Sequence, residues 1–230
     1  RSAKEDATGA VAAALAEGIS PEAVGEAISL TANQLVLRQG DGRTHGDARG
    51  VHGSDAINAW RNMIRVTNHR NTMAGLLVGA YHTADYTSAA GFTGDPYPHD
   101  THLQRLTSES PDKLLKQAEG AIRENNQSLA AAAIHRYGKL EQPAKPVFDL
   151  MLKYAVSEDG RLHAEKYLQT VTDEFTTMRP AFRWRQLVAL ARVTASAYGF
   201  DRQERARSGD FLSPYIYILH DCSPTAPVHE

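Results

Sequence analysis

The stretch "SPEAVGEAISLTANQLVLR", Ser20 to Arg38, decides the class of fold. Ser20 is a residue type that caps helix N-termini, Pro21 suits the first helical position, and Glu22 places a negative charge in the first turn. Apolar residues then recur at helical spacing up to Arg38. The stretch therefore predicts an α-helix with a well-defined start.

The same helical periodicity continues on both sides of this stretch. An Ala-rich segment, "EDATGAVAAALAEG", precedes it and predicts a helix that ends at Gly18. Downstream segments such as "SDAINAWRNMIRV", "TMAGLLVGAYHTADYTS" and "PAFRWRQLVALARVTASAYG" show the helical pattern again. Alternating strand patterns of useful length are missing, apart from the ambiguous "SPYIYIL" near the end. We expect an all-α protein of roughly nine helices, arranged as a multi-helix array of antiparallel pairs.

The best break in the chain is the irregular segment "AAGFTGDPYPHDTH", residues 89–102. It separates an N-terminal helical part, residues 1–88, from a C-terminal helical part, residues 103–220. We expect the two parts to form one continuous domain. The chain starts at Arg1 without Met, so we also consider that it is the C-terminal part of a longer protein.

Composition limits the classes of partner. The 230 residues are 42% hydrophobic and carry a net charge of −2, which is typical of a soluble domain with one sizeable core. Without a global basic field, nucleic acid is not expected as a partner. No apolar run approaches the roughly 18 residues of a membrane span, and the single Cys222 excludes a disulfide scaffold. We expect a cytoplasmic protein, with export of a longer precursor as the alternative.

Several catalytic classes lack their motifs in this chain, which has no Gly-rich phosphate loop, paired CxxC, HExxH or nucleophile elbow. Ten histidines remain to be weighed. His99 and His102 have a spacing that would suit two ligands in a turn of helix, but Pro96 and Pro98 beside them favour a loop. We expect this pair to be structural or on the surface.

A second stretch, "SEDGRLHAEKYLQ", contains the most suggestive pair of polar residues. His163 and Lys166 are three residues apart, so both side chains leave the same face of the predicted helix, which we expect to be buried. A buried lysine loses its charge more easily, and the neutral amine can add carbon dioxide to form a carbamate that binds metal as a carboxylate does. The alternative is a surface lysine paired with Glu165 or Asp159.

The stretch "SEDGRLHAEKYLQT" resembles the Asp-Gly-His-x-x-Lys segment of questin oxidase-like proteins, a family of helical non-heme iron oxygenases. "LRQGDGRTHGDARGVHGSDAINA" is similar to the segment of that family that contains Leu-His-x-x-Thr-Ser, with His52 at the histidine. The resemblance implies Fe²⁺ held by His52, His163 and a carboxylated Lys166. It also implies an oxygenase that uses dioxygen on an aromatic or polyketide-like small molecule. We expect His52 to open or precede its helix and to face His163.

The family's His-Pro-x-x-His pair is absent from this chain. Either a preceding N-terminal segment or a second subunit supplies further histidine ligands, as the resemblance implies, or this protein has lost the complete site. In the first case we expect the Ala-rich first helix to be the docking surface. Residues that could line a substrate pocket are Trp60, Phe148, Tyr167 and Trp184, although each is also a natural core residue.

A further resemblance concerns the helix "AEGISPEAVGEAISLTA", which is similar to the helical hairpin of the carboxymuconolactone decarboxylase and alkylhydroperoxidase group. A thiol peroxidase of that group needs a Cys-x-x-Cys pair, and this chain has only Cys222. The alternative to an oxygenase is a non-catalytic helical subunit or interaction module with no metal.

Overall fold

The computed structural model of the chain describes residues 4–41, 49–67, 69–87, 94–157 and 162–199, apart from the side chains of Arg49, Leu162 and His163. The compact unit Arg1–Gly199 contains all of these ranges. The ambiguous segment "SPYIYIL" and Cys222 lie outside the described residues.

The described ranges contain ten α-helices and no strand, which confirms the all-α prediction. The helices are α1 (Lys4–Ala16), α2 (Pro21–Arg38), α3 (Arg49–Val66), α4 (Arg70–Thr87), α5 (Asp100–Leu103), α6 (Pro111–Arg123), α7 (Gln127–Lys139), α8 (Lys145–Ala155), α9 (Leu162–Thr177) and α10 (Pro180–Ala197). The short α5 lies at the end of the segment that was predicted to be irregular. Across the described ranges, every helix falls short of the length and apolar character that a membrane span requires.

The turn between α1 and α2 follows the local signals in the sequence. Gly18 has a φ of 88°, a left-handed conformation that glycine adopts without strain. Its amide donates to Leu15 O and the Ile19 amide donates to Ala14 O, a pattern that satisfies the last carbonyls of α1. Ser20 then caps α2, because its Oγ accepts a hydrogen bond of 3.2 Å from the Ala23 amide.

Helix α3 begins earlier than the sequence indicated, so that His52 lies three residues inside it. Gly50 and Gly53 are weak helix formers, and they obscured this start. Close packing explains Gly50, because a Cβ there would lie 2.7 Å from the backbone nitrogen of Val36 in α2. The glycine therefore lets α3 approach the backbone of α2.

Packing between helices does not simply follow chain order. Helix α1 contacts mainly α4 rather than its neighbour α2. Two hydrogen bonds show how α3 and α9 are oriented. Asp55 pairs with Thr170, and one turn further along both helices Asn58 pairs with Glu174, so α3 and α9 run in the same direction. The predicted array of antiparallel pairs is therefore not confirmed as a general rule.

Two main groups of buried apolar side chains form the core of the described part. The larger joins α6 to α10 with the end of α2, and Leu114, Ile134 and Leu187 are among its fully buried members. The smaller joins α2, α3 and α4 around Ile28, Ile57 and Leu76, with half-buried residues of α1 packed against it. Helix α1 itself has no buried residue among those described.

Candidate functional site

A groove with a volume of about 720 Å³ lies between α1, α2 and α4 in the described part. Buried Val24, Ile28 and Leu35 of α2 lie along it, while Ala27 and Thr31 are both part of its lining and exposed to solvent. The site is therefore an open groove with an apolar floor. We call it the α1/α2/α4 groove.

The wall residues of the groove are mostly small and aliphatic. Alanines come from all three helices, and they include Ala7, Ala10, Ala14, Ala23, Ala27 and Ala84. Among the described lining residues none is aromatic. Small side chains leave room between the helices, so the groove follows from the Ala-rich composition that the sequence shows in α1.

The groove is elongated along α2. Its lining on that helix runs from Ala23 to Arg38, which corresponds to about 22 Å at a rise of 1.5 Å per residue. Ile19, in the turn between α1 and α2, lines the apolar end. A molecule that fills the groove would therefore be long and narrow.

The opposite end of the groove is polar. Thr31, Gln34 and Arg38 line it from α2, and Thr83 and Thr87 line it from α4. Helix α3 packs against both helices, and its Gly53 is close to Ala32 of α2 and to the Tyr86 ring of α4.

Arg38 is the one charged residue among the described lining residues. Its Nη1 donates to the Gly94 carbonyl at 2.9 Å, and its Nε donates to Gln34 Oε1 at 3.4 Å. Both acceptors are neutral. In the part of the chain that the structure describes, no carboxylate pairs with this guanidinium.

Helix α1 is held over the groove mainly by its packing against α4. Val11, Ala14 and Leu15 are half-buried against the smaller core. Near the polar end, Lys4 Nζ lies 3.3 Å from Asp85 Oδ1 and 4.9 Å from the centroid of the Tyr81 ring. Interactions with Tyr81 and then Asp85 raise the pKa of Lys4.

The metal site expected from the sequence falls at the start of α3 and α9, which pack together. His52 and Lys166 are both exposed, and each lies close enough to Asp55 for its charge to act on that carboxyl. The structure thus brings His52 and Lys166 to one neighbourhood, and it adds Asp55, which was not predicted from the sequence. Asp55 follows His52 by about one helical turn, and this spacing was the available signal.

Asp55 is half-buried, and its Oδ1 accepts a hydrogen bond of 2.7 Å from Thr170 Oγ1. Burial raises the pKa of Asp55 above its ordinary value. The Thr170 hydrogen bond and the charges of His52 and Lys166 oppose this increase. The net effect is a carboxyl that holds its proton more tightly than in an unfolded chain.

Lys166 does not have the environment that a carboxylated lysine requires. Its side chain is exposed, whereas burial is what favours the neutral amine that adds carbon dioxide. The expectation that Lys166 lies on a buried face is therefore wrong. The side chain of His163 lies outside the described residues, so whether it faces His52 stays a prediction.

Among the residues described, no group of three or more His, Cys, Asp or Glu side chains converges as metal ligands. Lys166 does not fit its expected role, and His163 is not described. The iron site of His52, His163 and Lys166 therefore stays a prediction.

A buried polar interface joins α2, α3 and α9. Glu174 of α9 accepts hydrogen bonds from Ser29 Oγ at 2.7 Å, from Asn58 Nδ2 at 3.2 Å and from Arg61. The Arg61 side chain also donates to Glu22. Because Arg61 and Glu174 are both 1% exposed, this ion pair is shielded from water. The network holds three helices in register.

Tyr167 lies beside this polar interface and is fully buried. Burial raises the pKa of its hydroxyl. The hydroxyl is close to Ser54 and Asn33, but it falls short of hydrogen-bond geometry with any described residue. Tyr167 belongs to the larger core, and Phe148 and Trp184 are half-buried against it, whereas Trp60 is half-buried against the smaller core.

His99 and His102 have a structural role at α5. The His99 amide donates to His102 Nδ1 at 3.1 Å, and both rings stack with Tyr97. On the other side, the Arg192 guanidinium lies 3.8 Å from the centroid of the Tyr97 ring. Arg192 also donates to the Val36 carbonyl at 2.7 Å, so this cluster fixes the end of α2.

Comparisons of the chain with protein-family models, with curated proteins and with solved structures found no match. The family resemblances noted from the sequence stay predictions. The groove and the α3/α9 contact are therefore the two regions whose geometry bears on function.

Proposed function

We propose that this chain binds an elongated, mainly aliphatic small molecule in the α1/α2/α4 groove. The observation that supports this function is the groove's volume of about 720 Å³, combined with its aliphatic lining. Sites for small molecules typically measure about 300–1,000 Å³ and are mostly apolar with a few polar groups. The groove has both properties.

The lining favours a small molecule over a helix from a partner protein. A helix is at least about 10 Å wide, so it would enter the groove with only one face. The described lining residues are mostly alanine and other aliphatic residues, which leave a long and narrow space between the helices. A narrow chain of methylene groups fits the dimensions better, because it would contact α1, α2 and α4 at once.

The lining also bears on the class of ligand. Small aliphatic side chains suit an alkyl chain, whereas aromatic ligands are usually held by aromatic neighbours. We therefore favour an aliphatic ligand over the aromatic or polyketide-like substrate expected from the sequence. Binding alone needs no metal, so this proposal lies closer to the non-catalytic module.

A groove-filling substitution tests the proposal. Ala27 lies in the middle of the groove, so Ala27→Trp should fill it and abolish the binding of dodecanol, a neutral aliphatic probe. Ala59→Trp is the matched control, because Ala59 is also exposed on a helix but is not part of the groove. Titration calorimetry on the full chain measures both.

The expected result is binding of dodecanol by the wild type and by Ala59→Trp, with no detectable binding by Ala27→Trp. Absence of binding by the folded wild type would overturn the proposal. So would equal binding by wild type and Ala27→Trp, because the probe would then bind elsewhere.

A second candidate is the non-heme iron oxygenase expected from the sequence. The proximity of His52, Lys166 and Asp55 supports it, because an imidazole and a carboxylate are both ligands of iron in such enzymes. Bound iron would supply the activation of dioxygen. Further histidines from a preceding segment or second subunit remain part of this candidate, as does a role for His163.

Iron content separates the two candidates. On the oxygenase hypothesis, protein reconstituted with Fe²⁺ without oxygen retains about one equivalent of iron, and His52→Ala loses it. His82→Ala is the control, because His82 is an exposed histidine on α4 rather than at the α3/α9 contact. If folded wild type from its native source retains no iron, the oxygenase hypothesis is wrong.

A further inference from the structure

The α1/α2/α4 groove combines an apolar body with a cation at one end, and Arg38 is the one cation among its described lining residues. Arg38 lies in the last turn of α2, beside Gln34, and the lining from Ala23 onward is mostly aliphatic. Such a separation of apolar surface and charge is typical of sites for amphipathic ligands. It indicates which end of a ligand would lie where.

Hydrogen bonding leaves Arg38 with capacity for a ligand. A guanidinium has five N–H donors, and the contacts to Gly94 and Gln34 engage two of them. Both partners are neutral, so the positive charge is not balanced within the described residues. A carboxylate could accept two parallel hydrogen bonds from the remaining donors.

Charges near Arg38 do not cancel its attraction for a carboxylate. Asp85 lies near the same end of the groove, but its carboxylate contacts Lys4 Nζ at 3.3 Å. The C-terminal ends of α2 and α4 each carry roughly half a negative charge there, and the N-terminal end of α1 beside Lys4 carries roughly half a positive charge, so the helix ends together offset only about half of the positive charge of Arg38. The polar end of the groove therefore favours an anion.

We infer that the ligand of the groove is an alkyl carboxylate, whose carboxylate is bound by Arg38 and whose alkyl chain lies toward Ile19. This inference rests on the proposed function, because it specifies the ligand of the same groove. The length of about 22 Å along α2 suits a medium or long unbranched chain.

A pair of probes that differ only in the head group tests the inference. Dodecanoate and dodecanol have the same chain length, and only dodecanoate carries a charge. We expect the wild type to bind dodecanoate more tightly. Arg38→Met should weaken dodecanoate binding about tenfold or more, and it should change dodecanol binding less than about twofold.

Two further variants serve as controls for this experiment. Arg38→Lys keeps the charge and should retain most of the affinity for dodecanoate. Arg185→Met removes an exposed arginine from α10, which does not line the groove, and should change neither affinity. Thermal unfolding of each variant establishes that it is folded.

Two outcomes would contradict the inference and leave the groove as a binding site. The first is unchanged dodecanoate binding by Arg38→Met, and the second is an equal loss for both probes, which would give Arg38 a purely structural role. If the wild type binds neither probe, the proposed function fails together with this inference.

Discussion

Glu174 is the residue on which the buried polar interface depends. Its carboxylate accepts from Ser29, Asn58 and Arg61 in an environment closed to water. Glu174→Gln would leave the buried charge of Arg61 without this partner, so we expect it to lower the free energy of unfolding by about 3 kcal/mol. Urea unfolding of the full chain measures the loss.

Asp173→Asn is the matched control for this prediction. Asp173 is the next residue of α9, and it accepts hydrogen bonds from Asn62 and Gln169 nearer the surface. We expect Asp173→Asn to lower the free energy of unfolding by about 1 kcal/mol or less. Equal decreases in the free energy of unfolding for the two variants would show that the Arg61–Glu174 ion pair is less shielded from water than the geometry indicates.

Asp55 should make the folded state less stable as the pH rises from acidic to neutral. Because burial raises its pKa above 3.8, the folded state binds this proton more tightly than the unfolded chain does. Its contribution to stability is complete below pH 3.8 and is lost as the pH rises through the folded pKa. Asp55→Asn cannot ionise and keeps an oxygen that can accept from Thr170. The free energy of unfolding of the variant, compared with that of the wild type, should therefore increase as the pH rises from acidic to neutral.

Unfolding curves at several pH values measure this difference for Asp55. A difference that changes in the opposite direction would mean that His52, Lys166 and Thr170 outweigh burial. The carboxylate would then be stabilised by these neighbours, which would favour a polar binding site at the α3/α9 contact.

At the scale of the elements, the close approach of α2 and α3 depends on Gly50. A Cβ there would meet the Val36 backbone at 2.7 Å, and backbone atoms cannot move aside cheaply. We expect Gly50→Ala to destabilise the fold by about 1–3 kcal/mol. A Cβ added to Gly120 of α6 would have no neighbouring atom within 4 Å, so Gly120→Ala should instead stabilise by up to about 1 kcal/mol. Chemical denaturation of both variants checks the contrast, and a neutral Gly50→Ala would contradict it.

Helix α1 should open more easily than the rest of the described part. It has no buried residue, whereas most residues in the second half of α10 are buried. We expect the amides of α1 to exchange hydrogen faster than those of α10, and dodecanoate to slow exchange in α1 while leaving α10 unchanged. Hydrogen exchange with mass spectrometry measures both. Equal protection of the two helices in the free protein would contradict this view of α1.

The elements show which structural features could be predicted from the sequence. Ser20, Pro21 and Gly18 act through contacts within a few residues, so the start of α2 and the end of α1 were predicted correctly. The start of α3 depends on packing against α2, and the short α5 depends on its stacked rings. Neither contact is encoded in local propensity, so α3 was predicted with a late start and α5 was not predicted.

The orientation of α9 explains why the expectation for Lys166 was wrong. Ala164, Tyr167, Val171 and Glu174 are buried, and their spacing of three to four residues marks one face of the helix. Lys166 lies beside that face rather than on it. This pattern is present in the sequence, and it predicts an exposed Lys166 more directly than the spacing of His163 and Lys166 predicts a buried one.

At the scale of the whole molecule, the described part contains a large core and a smaller one. The α1/α2/α4 groove lies beside the smaller core, where α1 contributes only half-buried side chains. The groove could not be predicted from the sequence, because it has no motif and exists only where three separate helices meet. Alanines at helical spacing in α1 and α2 were its only trace.

The measurement that tests the central claim most directly is a crystal structure of the full chain with dodecanoic acid that carries bromine on its terminal carbon. The account predicts one anomalous bromine peak in the α1/α2/α4 groove, between Arg38 and Ile19, with the carboxylate bound to Arg38. A bromine peak beside Arg38, or no peak between α1, α2 and α4 in crystals that contain the acid at saturating concentration, would contradict it.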